Sequence, residues 1–317
     1  AYVRKPFYVD GALDLVSVCR ELSAQGLTSA LVNDADERGP RLGIFTTTDL
    51  RDALLELLVG VLLGAMAIGS LLFAPRWWLP LLATAIAIAT HEVVRRLREH
   101  GYAMPVVPLL IGGQAMIWLA WPWGVAGTLG AYGGTVVVAM VWRLVGQGLR
   151  EQPVNYLRDI AATILLATWV PLFASFTSLM IFQPNGGGRV FTVIATVVFA
   201  DIGGYIAGVL FGKHPLAPAI SPKKSWEGLG GSLLFGITAA VLSVMFLLHQ
   251  PAWVGLPLGL MLVITGVLGD LVESQIKRDM GIKDMGTLLP GHGGIMDRID
   301  AMLPSAVAGW IVLTLLA

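Results

Sequence analysis

Residues 254–278 read VGLPLGLMLVITGVLGDLVESQIKR, an uncharged apolar run that passes directly into a charged segment. The part over 254–272 is long enough to cross the hydrocarbon core of a bilayer as a helix. On that helix Asp270, Glu273, Ser274 and Lys277 stand at i, i+3, i+4 and i+7, hence on one face. The pattern predicts a membrane span whose C-terminal end carries both acidic and basic side chains. The alternative is a solvated helix end whose charges only meet water.

The composition of the whole chain indicates a membrane protein. Hydrophobic residues make up 56% of the 317 and charged residues 13%, the mean hydropathy is +0.74, and soluble domains carry roughly 25% charged residues. The 21 basic and 21 acidic side chains cancel, so no overall field attracts nucleic acid. The single Cys19 excludes an internal disulfide framework and a Cys-based zinc site.

Apolar stretches of spanning length recur from residue 54 onward, and each needs about 20 residues. They predict an all-α polytopic membrane protein with about nine transmembrane helices. The stretches cover residues 54–74, 78–94, 105–123, 125–145, 160–182, 190–211, 231–248, 254–272 and 299–316. Small residues four apart, such as Gly130 with Gly134 and Gly204 with Gly208, predict close helix packing.

Basic residues are distributed unevenly between the connections. The second, fourth, sixth and eighth breaks hold 13 Lys and Arg, whereas the other breaks hold two, Arg76 and Arg189. The 13 are Arg95, Arg96, Arg98, Arg143, Arg150, Arg158, Lys213, Lys223, Lys224, Lys277, Arg278, Lys283 and Arg298. Because cytoplasmic loops carry the excess of Lys and Arg, the N-terminus is predicted to be cytoplasmic and the C-terminus to lie on the outer side.

Residues 1–53 differ from the rest, since they hold 14 of the 42 charges. Short β-type runs at 7–9, 27–32 and 42–46, a helical pattern at 14–23, a polar turn at 33–40 and a helix opening at 48–50 predict a small α/β segment. Residues 43–46, GIFT, leading into Thr48 and Asp49, resemble one CBS motif, a module that often binds adenine nucleotides. The alternative is that Thr48 and Asp49 only cap a helix, or that the segment is a fusion partner.

A second polar cluster follows the span quoted above. Glycines surround His292 in residues 290–294, PGHGG, and let the backbone approach a ligand and point amides at an anion. Asp297 and Asp300 then share one helix face at i and i+3. Carboxylates of two neighbouring spans can converge on Mg²⁺, which takes oxygen ligands. His292 is as well explained by a structural role as by a catalytic one.

Residues 221–228, SPKKSWEG, form a basic element. Ser221 before a proline suits a helix N-cap, so the free amides of the helix start beside Lys223 and Lys224 predict a phosphate site. The alternative is two lysines that snorkel toward anionic lipid. Asp201, mid-span, is functional by default because an isolated carboxylate in the bilayer is costly, and Glu92 receives the same interpretation.

Residues 274–300 look like the signature of the phosphatidate cytidylyltransferases (CDP-diacylglycerol synthases). Residues 221–228 and 201–212 are similar to further segments of this family. The positions that carry the resemblance are Ser274, Ile276, Lys277, Arg278, Lys283, Asp284, Gly286, Leu289, Pro290, His292, Gly293, Gly294, Ile295, Asp297, Arg298, Ile299 and Asp300. The resemblance covers residues 55–317 and implies a Mg²⁺-dependent, dimeric enzyme of the plasma membrane that converts CTP and phosphatidic acid to CDP-diacylglycerol and pyrophosphate. It also implies that Asp270 and Asp297 are metal ligands and that the double-lysine loop belongs to the active site.

Site roles follow from the residues and the resemblance together, with residues 54–317 as the transmembrane cytidylyltransferase domain. The predicted catalytic residues are Asp270, Asp297, Lys277, Arg278 and His292. The predicted substrate-binding residues are Ser221, Lys223, Lys224, Ser225, Asp201, Lys283, Gly293, Gly294 and Arg298. The predicted ligands of Mg²⁺, and of any second cation, are Asp270, Asp297, Asp300 and Glu273.

Two other functions fit parts of the sequence. A CDP-alcohol phosphotransferase would also carry acids at a membrane face, but its pattern, Asp-Gly-x₂-Ala-Arg followed by Gly-x₃-Asp-x₃-Asp, does not occur in the sequence. A divalent-cation channel gated by a CBS module would place Asp201 and Glu92 in its pore. It leaves the basic loops unexplained, because a cation path has no use for lysines at its mouth.

Overall fold

The computed structural model describes residues 8–10, 29–36, 39–46, 64–73, 75–147, 149–150, 152–286, 288 and 293–316. The chain divides into two compact units, Ala1–Leu63 and Gly64–Ala317. The sequence predicts this division ten residues earlier, after residue 53.

The described part of the first unit is a three-stranded sheet of β1 (Tyr8–Asp10), β2 (Ser29–Asp36) and β3 (Gly39–Thr46). β1 pairs with β2 in parallel, and β2 pairs with β3 antiparallel. The three predicted strands are confirmed, but the predicted turn at 33–40 is too long, because Asn33 pairs with Leu42 and Asp36 with Gly39 in a continuous hairpin. The predicted helices at 14–23 and from residue 48 lie outside the described residues.

The described part of the second unit is built from helices and one short hairpin. Its helices are α1 (Gly64–Phe73), α2 (Trp78–Glu99), α3 (Val106–Trp118), α4 (Ala120–Gln147), α5 (Tyr156–Ala167), α6 (Phe173–Ile181), α7 (Gly186–Phe211), α8 (Trp226–Phe246), α9 (Ala252–Asp279), α10 (Met296–Ile299) and α11 (Met302–Leu316). A π-helical turn, Thr168–Leu172, joins α5 to α6. The hairpin pairs β4 (Pro215–Ala217) antiparallel with β5 (Ser221–Ser225) between α7 and α8.

Helices of membrane-spanning length confirm an integral membrane protein. Among the described residues, six helical segments are long and apolar enough to cross a bilayer. They are Ala120–Gly146, Tyr156–Ile181, Gly186–Phe211, Trp226–Phe246, Ala252–Asp279 and Met296–Leu316. Each corresponds to one of the nine predicted stretches.

The other three predicted stretches give weaker helices. Only residues 64–73 of the first are described, and they form α1. The second forms α2, whose 22 residues end in a charged turn. The third forms α3, whose 13 residues rise only about 20 Å, less than the roughly 30 Å of the hydrocarbon core.

Glycines set the spacing of α7 and α8. A methyl group at Gly203 would meet the side chain of Phe235, and one at Gly204 would meet the Ser232 hydroxyl. These contacts confirm the close packing predicted for Gly204, whereas Gly130, on α4, faces open space within the described residues. The close approach of α7 to α8 places the polar ends of both helices beside the hairpin.

Candidate active site

A cavity of about 330 Å³ opens where α7, β5, α8 and α9 meet. Its wall combines acidic, basic and hydroxyl side chains with glycines. Its lining residues are Asp201, Gly204, Tyr205, Gly208, Leu216, Ser221, Lys223, Lys224, Ser225, Gly228, Leu229, Ser232, Val267 and Asp270. The cavity therefore brings together six of the residues predicted for the site, from three separate stretches of sequence.

An ion pair joins two walls of the cavity. Lys224 Nζ lies 2.5 Å from Asp270 Oδ2, and both side chains remain partly exposed. Ser274 donates a hydrogen bond of 3.2 Å to the other oxygen, Asp270 Oδ1, from one turn further along α9. Asp201 lies within electrostatic range of Asp270 and Lys224. Carboxylates and an ammonium thus share one cavity that is open to solvent.

The helix start beside the lysines differs from the prediction. Residues 221–225 form strand β5 rather than a helical turn, and α8 begins at Trp226. The N-cap is Ser225, whose Oγ accepts a hydrogen bond of 3.1 Å from the Gly228 amide. The predicted cap at Ser221 is wrong, because that residue pairs with Ala217 across the hairpin.

A side-chain contact between Glu227 and His214, which no sequence pattern predicts, holds the base of this hairpin. Glu227 Oε1 lies 2.6 Å from His214 Nδ1, and Glu227 Oε2 accepts hydrogen bonds from the Lys213 and His214 amides. The two residues are 13 apart in sequence, so no helical or strand periodicity relates them.

Asp297 lies in a set of donors supplied by the protein itself. Its oxygens accept hydrogen bonds from Lys277 Nζ at 3.0 Å, from the Met285 amide at 3.0 Å and from the Gly294 amide at 2.8 Å. The Gly286 amide adds a longer contact of 3.4 Å. The Asp297 side chain is only 4% exposed. The anion toward which these amides point is therefore Asp297.

Gly286, Gly293 and Gly294, in the loop between α9 and α10, lie so close to carboxylates that a side chain would not fit. Gly293 has φ of +77°, and a Cβ there would lie 2.9 Å from Asp297 Oδ2. A Cβ on Gly286 or Gly294 would overlap the Glu92 carboxylate. The sequence predicts close approach to a ligand at Gly293 and Gly294, and the groups that approach are side chains of the same chain, Asp297 and Glu92.

Glu273 and Asp300 form a deeper acidic pair. Glu273 is fully buried, and its Oε2 accepts a hydrogen bond of 2.9 Å from Lys277. Its Oε1 has no hydrogen-bond partner among the described residues, and Asp300 is an acidic electrostatic neighbour of the same carboxylate. A buried oxygen without a donor beside a second carboxyl is an arrangement that a cation or a shared proton completes.

The donor chemistry suits a hard cation, although the described residues form no preformed cage. Within the described residues, no three Asp, Glu, His or Cys side chains surround one point that could hold a metal ion. Mg²⁺ usually takes only one or two protein carboxylates and completes its shell with water and substrate phosphates. The exposed Asp270 carboxylate in the cavity meets that requirement.

Three further predicted residues, Arg278, Lys283 and Arg298, are described by the structure but do not line the cavity. Arg278 Nε donates a hydrogen bond of 3.3 Å to the Ile220 carbonyl and so ties α9 to the hairpin. Lys283 and Arg298 are exposed. His292 lies outside the described residues.

Comparison with known proteins agrees with the geometry of this site. Residues 55–316 match the cytidylyltransferase family. The phosphatidate cytidylyltransferase of Mycobacterium bovis is 56% identical over 84% of this chain and 90% of its own length, and that of Mycobacterium leprae is 57% identical over 81% and 86%. The Pseudomonas aeruginosa phosphatidate cytidylyltransferase is 36% identical over 62% and 67%. With its cavity of lysines and aspartates at the ends of membrane helices, this chain belongs to the cytidylyltransferase family.

Proposed function

We propose that the protein is a phosphatidate cytidylyltransferase, which transfers CMP from CTP to phosphatidic acid and releases pyrophosphate. The observation that carries this proposal is the cavity in which Lys223 and Lys224 face Asp201 and Asp270. Lysines neutralise phosphates, and an exposed carboxylate can hold the cation that accompanies a nucleotide triphosphate. The relatives described above are named phosphatidate cytidylyltransferases, and this name gives phosphatidate as their substrate.

The chemistry needs no covalent enzyme intermediate. A phosphate oxygen of phosphatidic acid attacks the α-phosphorus of CTP, a new P–O bond forms, and the bond to the β-phosphate oxygen breaks so that pyrophosphate leaves. The second pKa of a phosphate monoester is near 6, so the nucleophile is already deprotonated at neutral pH. The protein therefore has to position two polyanions and neutralise their charge. Lys223, Lys224 and Arg278 supply that charge from the hairpin and from α9.

We propose Mg²⁺ as the cofactor, with Asp270 as the carboxylate that holds it in the cavity. When bound, the ion neutralises charge on the transferring phosphates. Asp297 is the second predicted ligand, and Lys277 must release its Oδ1 before that oxygen becomes available to a metal ion. Asp300 and Glu273 are the further candidate ligands, since Glu273 Oε1 lacks a donor in the described part of the chain.

We propose nine crossings of the plasma membrane, with the N-terminus and the active site on the cytoplasmic side. The three crossings beyond the six long helices are the apolar stretches 54–74, 78–94 and 105–123, which contain α1, most of α2 and α3. Support comes from the basic residues, which concentrate in alternate connections, and from solubility, since CTP is in the cytoplasm and the acyl chains of phosphatidate are in the bilayer. The dimer and the CBS-like nature of residues 1–53 remain predictions.

A conversion assay tests the proposed function. The full chain, reconstituted in vesicles that contain phosphatidic acid, should convert radiolabelled CTP to a labelled lipid, CDP-diacylglycerol. Product should require phosphatidic acid and Mg²⁺, and chelation of the metal should abolish it. Mg²⁺ flux measured in the same vesicles examines the channel alternative. Flux without labelled lipid would contradict the proposal.

A further inference from the structure

One face of α2 contacts the segment that connects α9 to α10. Glu92, Arg96 and His100 stand at i, i+4 and i+8, counting the residue that caps the helix, and we call these three side chains the α2 polar face. They span about 12 Å along the helix. All three bind backbone atoms, and their partners extend from the C-terminal end of α9 to the first turn of α10.

Glu92 binds the start of α10. It is 8% exposed, and its two oxygens accept hydrogen bonds from the Ile295 amide at 3.2 Å and the Met296 amide at 3.0 Å. Amides at a helix start have no partner within the helix, and a carboxylate there also interacts favourably with the helix dipole. A carboxylate from another helix therefore completes this helix start, and it fits because Gly286 and Gly294 have no side chains.

Arg96 and His100 bind carbonyl groups of the same segment. Arg96 Nε donates to the Met285 carbonyl at 2.9 Å, and its Nη2 donates to the Asp284 carbonyl at 3.3 Å. His100 Nε2 lies 2.7 Å from the Met280 carbonyl just beyond α9. Each charged side chain of α2 therefore meets backbone groups of complementary polarity. The Glu92 carboxylate accepts from N–H groups, and the Arg96 guanidinium donates to carbonyl groups.

Met285 links the α2 polar face to the buried aspartate. The Met285 carbonyl accepts from Arg96, and the Met285 amide donates to both oxygens of Asp297. Asp297 directly follows Met296, whose amide is bound by Glu92. The preceding residue, Met296, and the amide donor, Met285, are thus both bound by α2, so a shift of the α2 contacts moves the Asp297 oxygens as well.

We infer that Glu92 and Arg96, with His100, are positioning residues for nucleotidyl transfer: they hold the backbone that fixes Asp297 and Lys277 relative to the cavity. The inference rests on the proposed function and extends it to a helix that contributes no residue to the cavity wall. It also gives a role to Glu92, a carboxylate of α2 that takes no direct part in the nucleotidyl transfer.

The test compares Glu92→Gln with Asp159→Asn in the full-length protein in detergent or vesicles. Both changes turn a buried carboxylate into an amide, and Asp159, 1% exposed, binds Arg143 and Arg158 instead of the loop. We expect similar losses of Tm in the two variants. Only Glu92→Gln should lower kcat, by about tenfold or more, because its amide group faces backbone donors. The KM for CTP and the Mg²⁺ dependence are measured alongside.

A second variant keeps the inference open to refutation if Glu92→Gln does not fold. Arg96→Lys retains the charge but not the forked pair of hydrogen bonds, and it should lower kcat several-fold with little change in Tm. Wild-type kinetics in both α2 variants, or an equal loss of kcat in Asp159→Asn, would overturn the inference. Absence of product with the wild-type chain would instead refute the proposed function.

Discussion

Two lysine–aspartate pairs at the same end of the helices differ in their surroundings. Lys224 and Asp270 face the cavity with 26% and 37% of their side chains exposed. Lys277 and Asp297 are 15% and 4% exposed, and backbone amides complete the shell of the aspartate. The residue types are the same, so burial and the backbone donors make the difference.

This difference indicates which pair can exchange partners. An exposed ion pair contributes roughly 0–1 kcal/mol, so a phosphate or a cation can replace either member of the Lys224–Asp270 pair. Removing one partner of a buried pair costs about 3–5 kcal/mol, so the Lys277–Asp297 pair separates less readily, and a bound cation would have to replace Lys277 at Asp297. The first pair is suited to binding substrate, and the second is suited to holding the loop that Gly293 and Gly294 shape.

The largest effect is expected for Asp297→Asn. It should abolish product formation and also lower Tm, because an amide cannot accept all the N–H donors that surround this position. Asp270→Asn should abolish product formation as well, but its Tm should stay close to that of the wild type. CTP conversion and thermal unfolding in detergent measure the two properties. Equal Tm losses in the two variants would remove the distinction between the pairs.

An intermediate effect is expected for Gly294→Ala, which changes the surroundings of the buried Lys277–Asp297 pair. The added methyl would overlap the Glu92 carboxylate, and overpacking of this kind costs about 1–3 kcal/mol. Tm and kcat should both fall. Gly230→Ala on α8 is the matched control, since nothing lies within 4 Å of a Cβ there. A wild-type Tm for Gly294→Ala would show that the loop can move away from α2.

The smallest effect on stability is expected for Lys224→Met, which removes one member of the partly exposed Lys224–Asp270 pair. Tm should not change, whereas the KM for CTP or for phosphatidic acid should rise about tenfold, as loss of one charge-assisted contact predicts. Lys213→Met is the control, because Lys213 is exposed and does not line the cavity. Equal KM values in the two variants would place the substrate phosphates elsewhere.

Sequence patterns predicted the parts of the site that depend on local spacing. The helical face of Asp270, Ser274 and Lys277 was read from a period that any helix imposes, and the cavity includes Asp270 as expected. The cap at Ser221 was predicted wrongly, because pairing with Ala217 overrides the local preference for a helix start. The sequence predicts a functional role for Glu92 from its place in an apolar stretch, but not its partner, since Ile295 is 203 residues away.

The amino-acid sequence by itself determined that this chain lies in a membrane, where its helices run and which residues carry charge, because hydropathy and helical period are properties of neighbouring residues. Only the tertiary structure decided which carboxylate faces the cavity and which is enclosed by amides. That choice depends on how α2, α9 and α10 approach one another. Close approach of distant segments removes water from Asp297 and leaves it around Asp270.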